Sequence, residues 1–107
     1  MGYHTVFNLS LGDVSKDTKE AVVNALKDKG IIGYALDYNL DYYDAVNWYG
    51  HDLDMIEVSR LFPDVLFELD GKGEENEDIW ITYYKNGKMQ HCNAIITFEP
   101  FDENKLR

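Results

Sequence analysis

The sequence predicts an α+β domain of ferredoxin-like type, with two helices packed on one face of a mostly antiparallel sheet. Three observations favour this class: period-2 alternation of polar and apolar residues in several segments, two segments of helical periodicity between them, and an Asn-Gly turn near the C-terminus. At 107 residues the chain fits one hydrophobic core. We therefore expect a single domain over residues 1–107.

The first predicted element is a strand over residues 3–11, because Phe7, Leu9 and Leu11 occupy odd positions between polar neighbours. A helix should follow. Asp17 and Glu20 have the spacing of a capping box with Asp in place of Ser or Thr, and Gly30 is typical of the residue that ends a helix.

Residues 32–42 alternate Ile, Tyr or Leu with small or polar residues, which is the most regular strand pattern in the chain. A second extended piece over residues 45–49 follows. This region therefore predicts either one long bent strand or two short strands. On the same alternation, Tyr34, Tyr38 and Tyr42 should point inward, which leaves Tyr43 and Tyr49 as the surface tyrosines.

A second helix should begin near Asp52 and end before Pro63, since proline cannot continue a helix. Its periodicity allows two different buried faces. The alternatives are Leu53, Ile56 and Leu61, or Met55, Val58 and Phe62.

Three further strands are predicted over residues 65–70, 79–84 and 89–98, with a polar loop over residues 71–78. Asn86-Gly87 suits the two central positions of a type I′ hairpin turn. The tail after Pro100 should be frayed. This order of elements predicts a split βαβ arrangement with an added C-terminal β-hairpin.

Twenty acidic and ten basic residues give a formal net charge of −10. This charge repels phosphates and anionic lipids, so direct nucleic-acid binding and membrane binding are not expected. It would attract a basic protein surface, and it also favours solubility. The single Cys92 cannot form an internal disulfide. A cytoplasmic protein is expected.

The sequence predicts no catalytic residues, no metal site and no cofactor. Asp37, Asn39 and Asp41 match the first positions of a calcium loop, but Tyr42 and Trp48 stand where that loop needs glycine and glutamate. The three histidines lack zinc-ligand spacing. In a strand, His91 and Cys92 would point to opposite faces.

Acidic residues interleaved with aromatic ones form the candidate partner-binding surface. Tyrosine and tryptophan are common in binding hot spots because they bury a large area at low entropic cost. The predicted residues are Asp37, Asp41, Tyr43, Asp44, Trp48, Tyr49, Glu74, Glu75, Glu77, Asp78 and Trp80.

The C-terminal half also carries motifs that resemble a known type of protein. The motifs are Trp48-Tyr-Gly-His51, Ser59-Arg-Leu-Phe-Pro63, Val65-Leu-Phe67, Gly71-Lys-Gly-Glu-Glu75, Asp78-Ile-Trp80 and Lys85-Asn-Gly-Lys88. They are similar to small proteins of phages, prophages and plasmids, and to the ferredoxin-like domain of the YubB-type plasmid proteins. The resemblance implies a fold and a mobile-element setting, and it brings no catalytic residues.

Charge and resemblance together lead to the first functional hypothesis, an acidic mobile-element protein that binds and blocks a host nucleic-acid-processing or defence protein. Anti-CRISPR and other anti-defence inhibitors, including nucleic-acid mimics, act in this way. One alternative is a small enzyme or metal-dependent binder on the same scaffold. Another is a self-associating accessory protein, such as a homodimer formed through sheet faces or edges.

Overall fold

The computed structural model describes residues 2–107. In chain order the elements are strand β1 (Thr5–Ser10), helix α1 (Lys16–Asp28), helix α2 (His51–Leu61), strands β2 (Phe67–Gly73), β3 (Ile79–Lys85) and β4 (Lys88–Asn93), and a short 3-10 helix (Glu103–Lys105).

The four strands form one sheet in the order β1-β2-β3-β4, and all neighbours are antiparallel. The α+β class, the antiparallel sheet and the two helices are thus present. The ferredoxin-like split βαβ arrangement is not confirmed, because β1 and β2 are direct antiparallel neighbours. The hairpin of β3 and β4 completes this single sheet instead of adding to a split βαβ core.

One face of the sheet carries the hydrophobic core. Its buried strand residues are Phe7, Leu9, Phe67, Leu69, Trp80 and Tyr84, and they form one cluster with the buried residues of both helices. Because these strand residues lie in register on the same side, both helices cover that face. The opposite side, which we call the open face, carries partly exposed residues such as Val6, Ile81 and Tyr83.

Helix α1 begins two residues earlier than the capping-box pattern predicts. Ser15 is the N-cap, and its side chain accepts a hydrogen bond from the amide of Thr18. Asp17 lies in the first turn, where the negative charge of an acidic residue interacts favourably with the helix dipole. Gly30 follows the helix with φ of 78°, which confirms its predicted left-handed conformation.

The predicted strand over residues 32–42 is wrong, and so is the strand pair that includes residues 45–49. Residues 31–50 form turns and isolated bridges. The amides of Ala35 and Leu36 both donate to the carbonyl of Ile31, and the side chain of Asp37 accepts from two following amides. These local hydrogen bonds replace a strand ladder.

Backbone geometry in the same segment adds a second reason for this difference. Leu40 has φ of 66°, which lets a buried leucine reach the core while Tyr38 points to solvent. Tyr34 and Tyr42 are also exposed. The period-2 pattern therefore assigned all three tyrosines to the wrong side.

Helix α2 begins at His51 and ends at Leu61, close to the predicted bounds. Of the two alternative faces, the one with Met55 and Val58 is buried, whereas Leu53 and Leu61 face solvent. Periodicity alone could not distinguish these faces, because apolar residues occupy both.

The hairpin between β3 and β4 has the predicted type of turn. Asn86 and Gly87 both have positive φ, 47° and 80°, as a type I′ turn requires. Strand β2 continues through Gly73, three residues into the predicted loop. Strand β4 ends at Asn93, so the predicted extension to residue 98 is wrong, and residues 94–102 leave the sheet.

Within residues 2–107, no helix has the length and hydropathy needed to cross a membrane.

The fold predicts a large effect of a single methyl group at Gly71. A Cβ at this position would lie 2.2 Å from the ring of Trp80, which is buried and cannot move aside. We expect Gly71→Ala to lower the free energy of unfolding by about 1–3 kcal/mol, as other overpacked cores do. Urea unfolding followed by tryptophan fluorescence measures this change. Lys72→Ala, on the same strand and exposed, is the control; equal stability of the two variants would contradict this packing.

Candidate binding surface

The outer edge of β1, away from β2, is covered by the segment over residues 40–49. The amide of Leu9 donates to the carbonyl of Leu40 at 2.9 Å, and Thr5 and Val46 exchange two backbone hydrogen bonds at 2.8 and 3.0 Å. This irregular segment therefore follows the outer side of β1 and carries its side chains along one edge of the sheet.

Hydrogen bonds fix the acidic residues of this segment. Asp37 accepts from the amides of Asn39 and Asp41 at 2.8 and 3.0 Å, and Asp41 accepts from the side chain of Asn8 at 2.7 Å. Asp44 accepts from the adjacent amide of Ala45. Asp37 and Asp41 thus stabilise a turn, and the predicted strand face of polar residues is replaced by this turn.

Tyr3 joins the second acidic segment, residues 74–78, to the same edge. Its hydroxyl donates to Asp78 at 2.7 Å and accepts from the amide of Glu75 at 3.1 Å. Glu74 accepts from the backbone amide of His4 and lies 3.5 Å from its ring. The loop between β2 and β3 is therefore held beside the start of β1.

Tyr49 belongs to the same group, because its hydroxyl accepts from the amide of Tyr3 at 3.0 Å. Tyr49 is 69% exposed and Tyr43 is 56% exposed. We call the resulting surface the acidic edge. It consists of Asp41, Tyr43, Asp44, Tyr49, Glu74, Glu75, Glu77 and Asp78. Tyr3 was not among the predicted site residues, because its partners lie 46 to 75 positions away and leave no local signal.

The structure corrects the prediction for the two tryptophans. Trp48 and Trp80 are 7% and 8% exposed and belong to the core, so neither offers a partner the surface that was expected. Trp48 donates to Asp54 at 2.7 Å. Trp80 stacks on His51 with ring centroids 5.0 Å apart, and meets Phe7 edge-on at 6.0 Å. Both rings therefore help to position α2 on the sheet.

His51, Asp52 and Tyr84 form a partly buried polar group at the start of α2. The hydroxyl of Tyr84 donates to Asp52, and the ring of His51 lies 3.1 Å from the same oxygen. Burial lowers the pKa of His51 more than the adjacent Asp52 raises it. Burial and the hydrogen bond to Asp52 raise the pKa of Tyr84, so this hydroxyl remains a donor.

His4 and Cys92 lie apart from this group, whereas the ring of His91 lies next to it, 5.4 Å from the ring of Trp80 that stacks on His51. His91 contacts the hydroxyl of Thr82 at 2.8 Å on the helix-covered side, while Cys92 pairs with Ile81 on the open face. Over residues 2–107 no three His, Cys, Asp or Glu side chains are placed to hold a metal ion.

The open face has one polar irregularity, at Asp70. Its Oδ1 is shielded from solvent and has no hydrogen-bond partner among residues 2–107. Burial, followed by the charge of Glu68, raises the pKa of Asp70 above its ordinary value. The carboxylate of Asp70 is therefore unfavourable in the folded protein.

Replacing Asp70 by asparagine tests this electrostatic cost. A carboxyl whose pKa is higher in the folded chain destabilises the fold when it is charged, and the loss disappears as the pH falls below the ordinary pKa of aspartate. We expect Asp70→Asn to add about 0.5–1 kcal/mol to the free energy of unfolding near pH 7, since the group is only partly shielded. Near pH 3 the gain should vanish. Urea titrations at both pH values measure it, with exposed Asp64→Asn as control. A loss of stability near pH 7 would show that the charge of Asp70 is favourable.

A second prediction concerns the hydroxyl of Tyr3. Tyr3→Phe removes the contacts to Asp78 and to the amide of Glu75 while it keeps the ring. We expect faster hydrogen exchange at the Glu75 amide, with little change in the core strands. Tyr43→Phe, which also removes an exposed hydroxyl, is the matched control. Unchanged exchange at Glu75 would mean that the loop is held without Tyr3.

Protein-family models, curated proteins and solved structures give no match to this chain. What the acidic edge can do is therefore inferred from its own charges and contacts.

Proposed function

We propose that this chain is a binding protein whose acidic edge docks on a basic surface of a partner protein. The observation that carries the proposal is the joining of two acidic segments, distant in sequence, beside the exposed rings of Tyr43 and Tyr49. Tyr3, two residues before β1, holds one segment, and Asn8, within β1, holds the other. The two anchors are five positions apart in the chain, or about 16 Å where the chain is extended.

The charges of the edge support a role in association. Glu75 and Glu77 are exposed, and the chain as a whole has a net charge of −10. A concentrated negative field raises the rate at which a basic partner is encountered, and salt screens this effect. Solubility alone would need charge but no fixed arrangement of the acidic residues.

The exposed tyrosines supply binding affinity, which charge alone does not. Exposed charges mainly change the association rate, whereas aromatic rings buried on binding contribute most of the affinity. Tyr43 and Tyr49 are large, exposed and adjacent to the acidic residues. The edge thus combines the two components of a protein-binding surface.

The partner class that we propose is a host nucleic-acid-processing or defence protein, because a groove that binds nucleic acid is basic. An acidic protein that occupies such a groove acts as an inhibitor of the anti-CRISPR or anti-defence type. The resemblance to phage and plasmid proteins of the YubB type favours this setting. Negative charge and aromatic rings at fixed positions are also what a nucleic-acid mimic requires.

Charge reversal tests this function. The tagged protein is used to capture partners from a host lysate at low and moderate salt, and the captured protein is purified for kinetic measurements. We expect Glu75→Lys with Glu77→Lys to slow association by about tenfold or more and to flatten its salt dependence. These two side chains are preferred because Glu74 and Asp78 also hold the loop.

The matched control changes the charge by the same amount elsewhere. Asp28→Lys with Asp64→Lys places the new lysines at the last residue of α1 and before β2, away from the loop over residues 74–78. This control should associate nearly as fast as the original protein, whereas Tyr43→Ala should mainly accelerate dissociation. If both double variants slow association equally, the acidic edge contributes only through net charge. If neither slows association, the proposed role of the acidic edge is refuted.

A further inference from the structure

The C-terminal segment carries several large apolar side chains, yet it is not packed on the domain. Residues 94–103, which we call the arm, include Ile95, Phe98 and Phe101, and these are 89%, 91% and 78% exposed. The chain has a radius of gyration of 16.6 Å, compared with about 13 Å for a compact domain of this length. Large apolar side chains at such exposure are typical of a segment that docks on another surface.

The edge of the sheet opposite to the acidic edge is the unpaired outer edge of a strand. Strand β4 is the last strand in the sheet, and among residues 2–107 its one partner is β3. Unpaired edges are places where another chain can add a strand. The arm continues directly from β4, and the amide of Ala94 still donates to the carbonyl of Ile79 at 2.9 Å.

A groove lies beside the turn that joins β3 and β4, which we call the hairpin groove. It has a volume of about 410 Å³. Its apolar lining includes Pro63, Leu66, Tyr83 and Met89, and two lysines, Lys85 and Lys88, stand at its border. Leu66 is half exposed although it is an apolar residue.

The arm does not reach the hairpin groove of its own chain without a sharp reversal. The groove lies at the start of β4 and the arm leaves from its end, about 16 Å away. To return, the chain would have to turn within residues 94–98, which are Ala, two Ile, Thr and Phe. Such a run of β-branched residues favours an extended chain and contains none of the usual turn residues.

We propose that the arm of one copy adds as an antiparallel strand to the outer edge of β4 in a second copy, with Phe98 in the second copy's hairpin groove. Because the arm follows β4 in sequence, the exchange is reciprocal and closes a two-fold symmetric dimer. The inference is independent of the acidic edge, which lies beside β1 at the other edge of the sheet.

Side-chain alternation places Phe98 on the required face. Gln90 and Cys92 pair with Tyr83 and Ile81 and so lie on the open face. Continued alternation puts Ile96 and Phe98 on that same side. In an antiparallel pair the two chains share their faces, so Phe98 meets the groove formed in part by Tyr83.

Charge complementarity also selects a second copy as the occupant. The arm contains Glu99, Asp102 and Glu103 and no Lys or Arg. Glu99 lies 3.3 Å from Lys105, just beyond the arm, and both side chains of this ion pair are largely exposed. In the antiparallel arrangement these acidic residues follow Phe98 toward Lys85 and Lys88 at the border of the groove. A chain of net charge −10 places two of its few lysines where its own acidic arm would dock.

The first measurement is sedimentation velocity over a range of concentrations. The full chain should form a dimer, and Phe98→Ser should shift it to monomer, with a weakening of at least tenfold. Leu53→Ser removes an apolar side chain that is 72% exposed on α2 and should leave the dimer intact. A full chain that stays monomeric at about 100 µM, or a Phe98→Ser variant that dimerises as well as the original, overturns the proposal.

A mixing experiment distinguishes exchange of arms from other modes of association. A chain ending at Asn93 has the groove without an arm, and a Lys85→Glu, Lys88→Glu chain has the arm with a groove that repels it. Each alone should be monomeric, and a mixture should form a one-to-one heterodimer. If the folded variants, checked by circular dichroism, do not associate when mixed, the exchange model fails. If the chain ending at Asn93 does not fold, the full chain with Phe98→Ser takes its place in the mixture.

Discussion

The contact between the ring of Trp80 and the backbone of Gly71 is the constraint on which the rest of the domain depends. The indole occupies the space that a side chain would take on the neighbouring strand. From there it stacks on His51 at the first turn of α2 and meets Phe7 of β1. Three strands and a helix are therefore fixed around one ring, and hydrophobic burial and close packing act at the same point.

The two edges of the sheet are treated differently by the chain. A strand edge exposes backbone groups that must find partners in protein or water. At β1 the segment over residues 40–49 supplies such partners and, at the same time, carries acidic side chains to the surface. At β4 no described residue takes this position, and the adjacent arm keeps its apolar side chains exposed. One edge is thus closed and charged, and the other is open and flanked by apolar residues.

Local sequence signals predicted the elements that depend on local physics. Asn86-Gly87 gave the hairpin turn because few residues adopt positive φ, and alternation gave β1 and β3 because only one of their faces is buried. Gly30 marked the end of α1 for the same conformational reason. These features are determined within a few residues of chain.

The failures arose where local hydrogen bonds override an alternating pattern and where distant contacts decide the structure. Residues 32–42 have a strand pattern, but their amides find partners at Ile31 and Asp37 instead of on a neighbouring strand. Trp80 is buried because Gly71 leaves room for it, which its own neighbours in sequence do not show. For the candidate site, the acidic segments were predicted, whereas their union through Tyr3 was not, since that residue acts across the whole length of the chain.

The acidic edge and β4 lie at opposite edges of the sheet, which determines how a dimer would present its two acidic edges. In a dimer joined through β4 and the arms, the two acidic edges would form the outer rims of one continuous sheet, with at least seven inter-strand spacings between them. This corresponds to roughly 34 Å. Such a particle is bivalent: once one rim has bound a repeating or symmetric partner, the second binds at a high effective concentration. Residence time would then depend on the spacing of the partner's basic surfaces, and weak individual contacts would suffice for durable attachment.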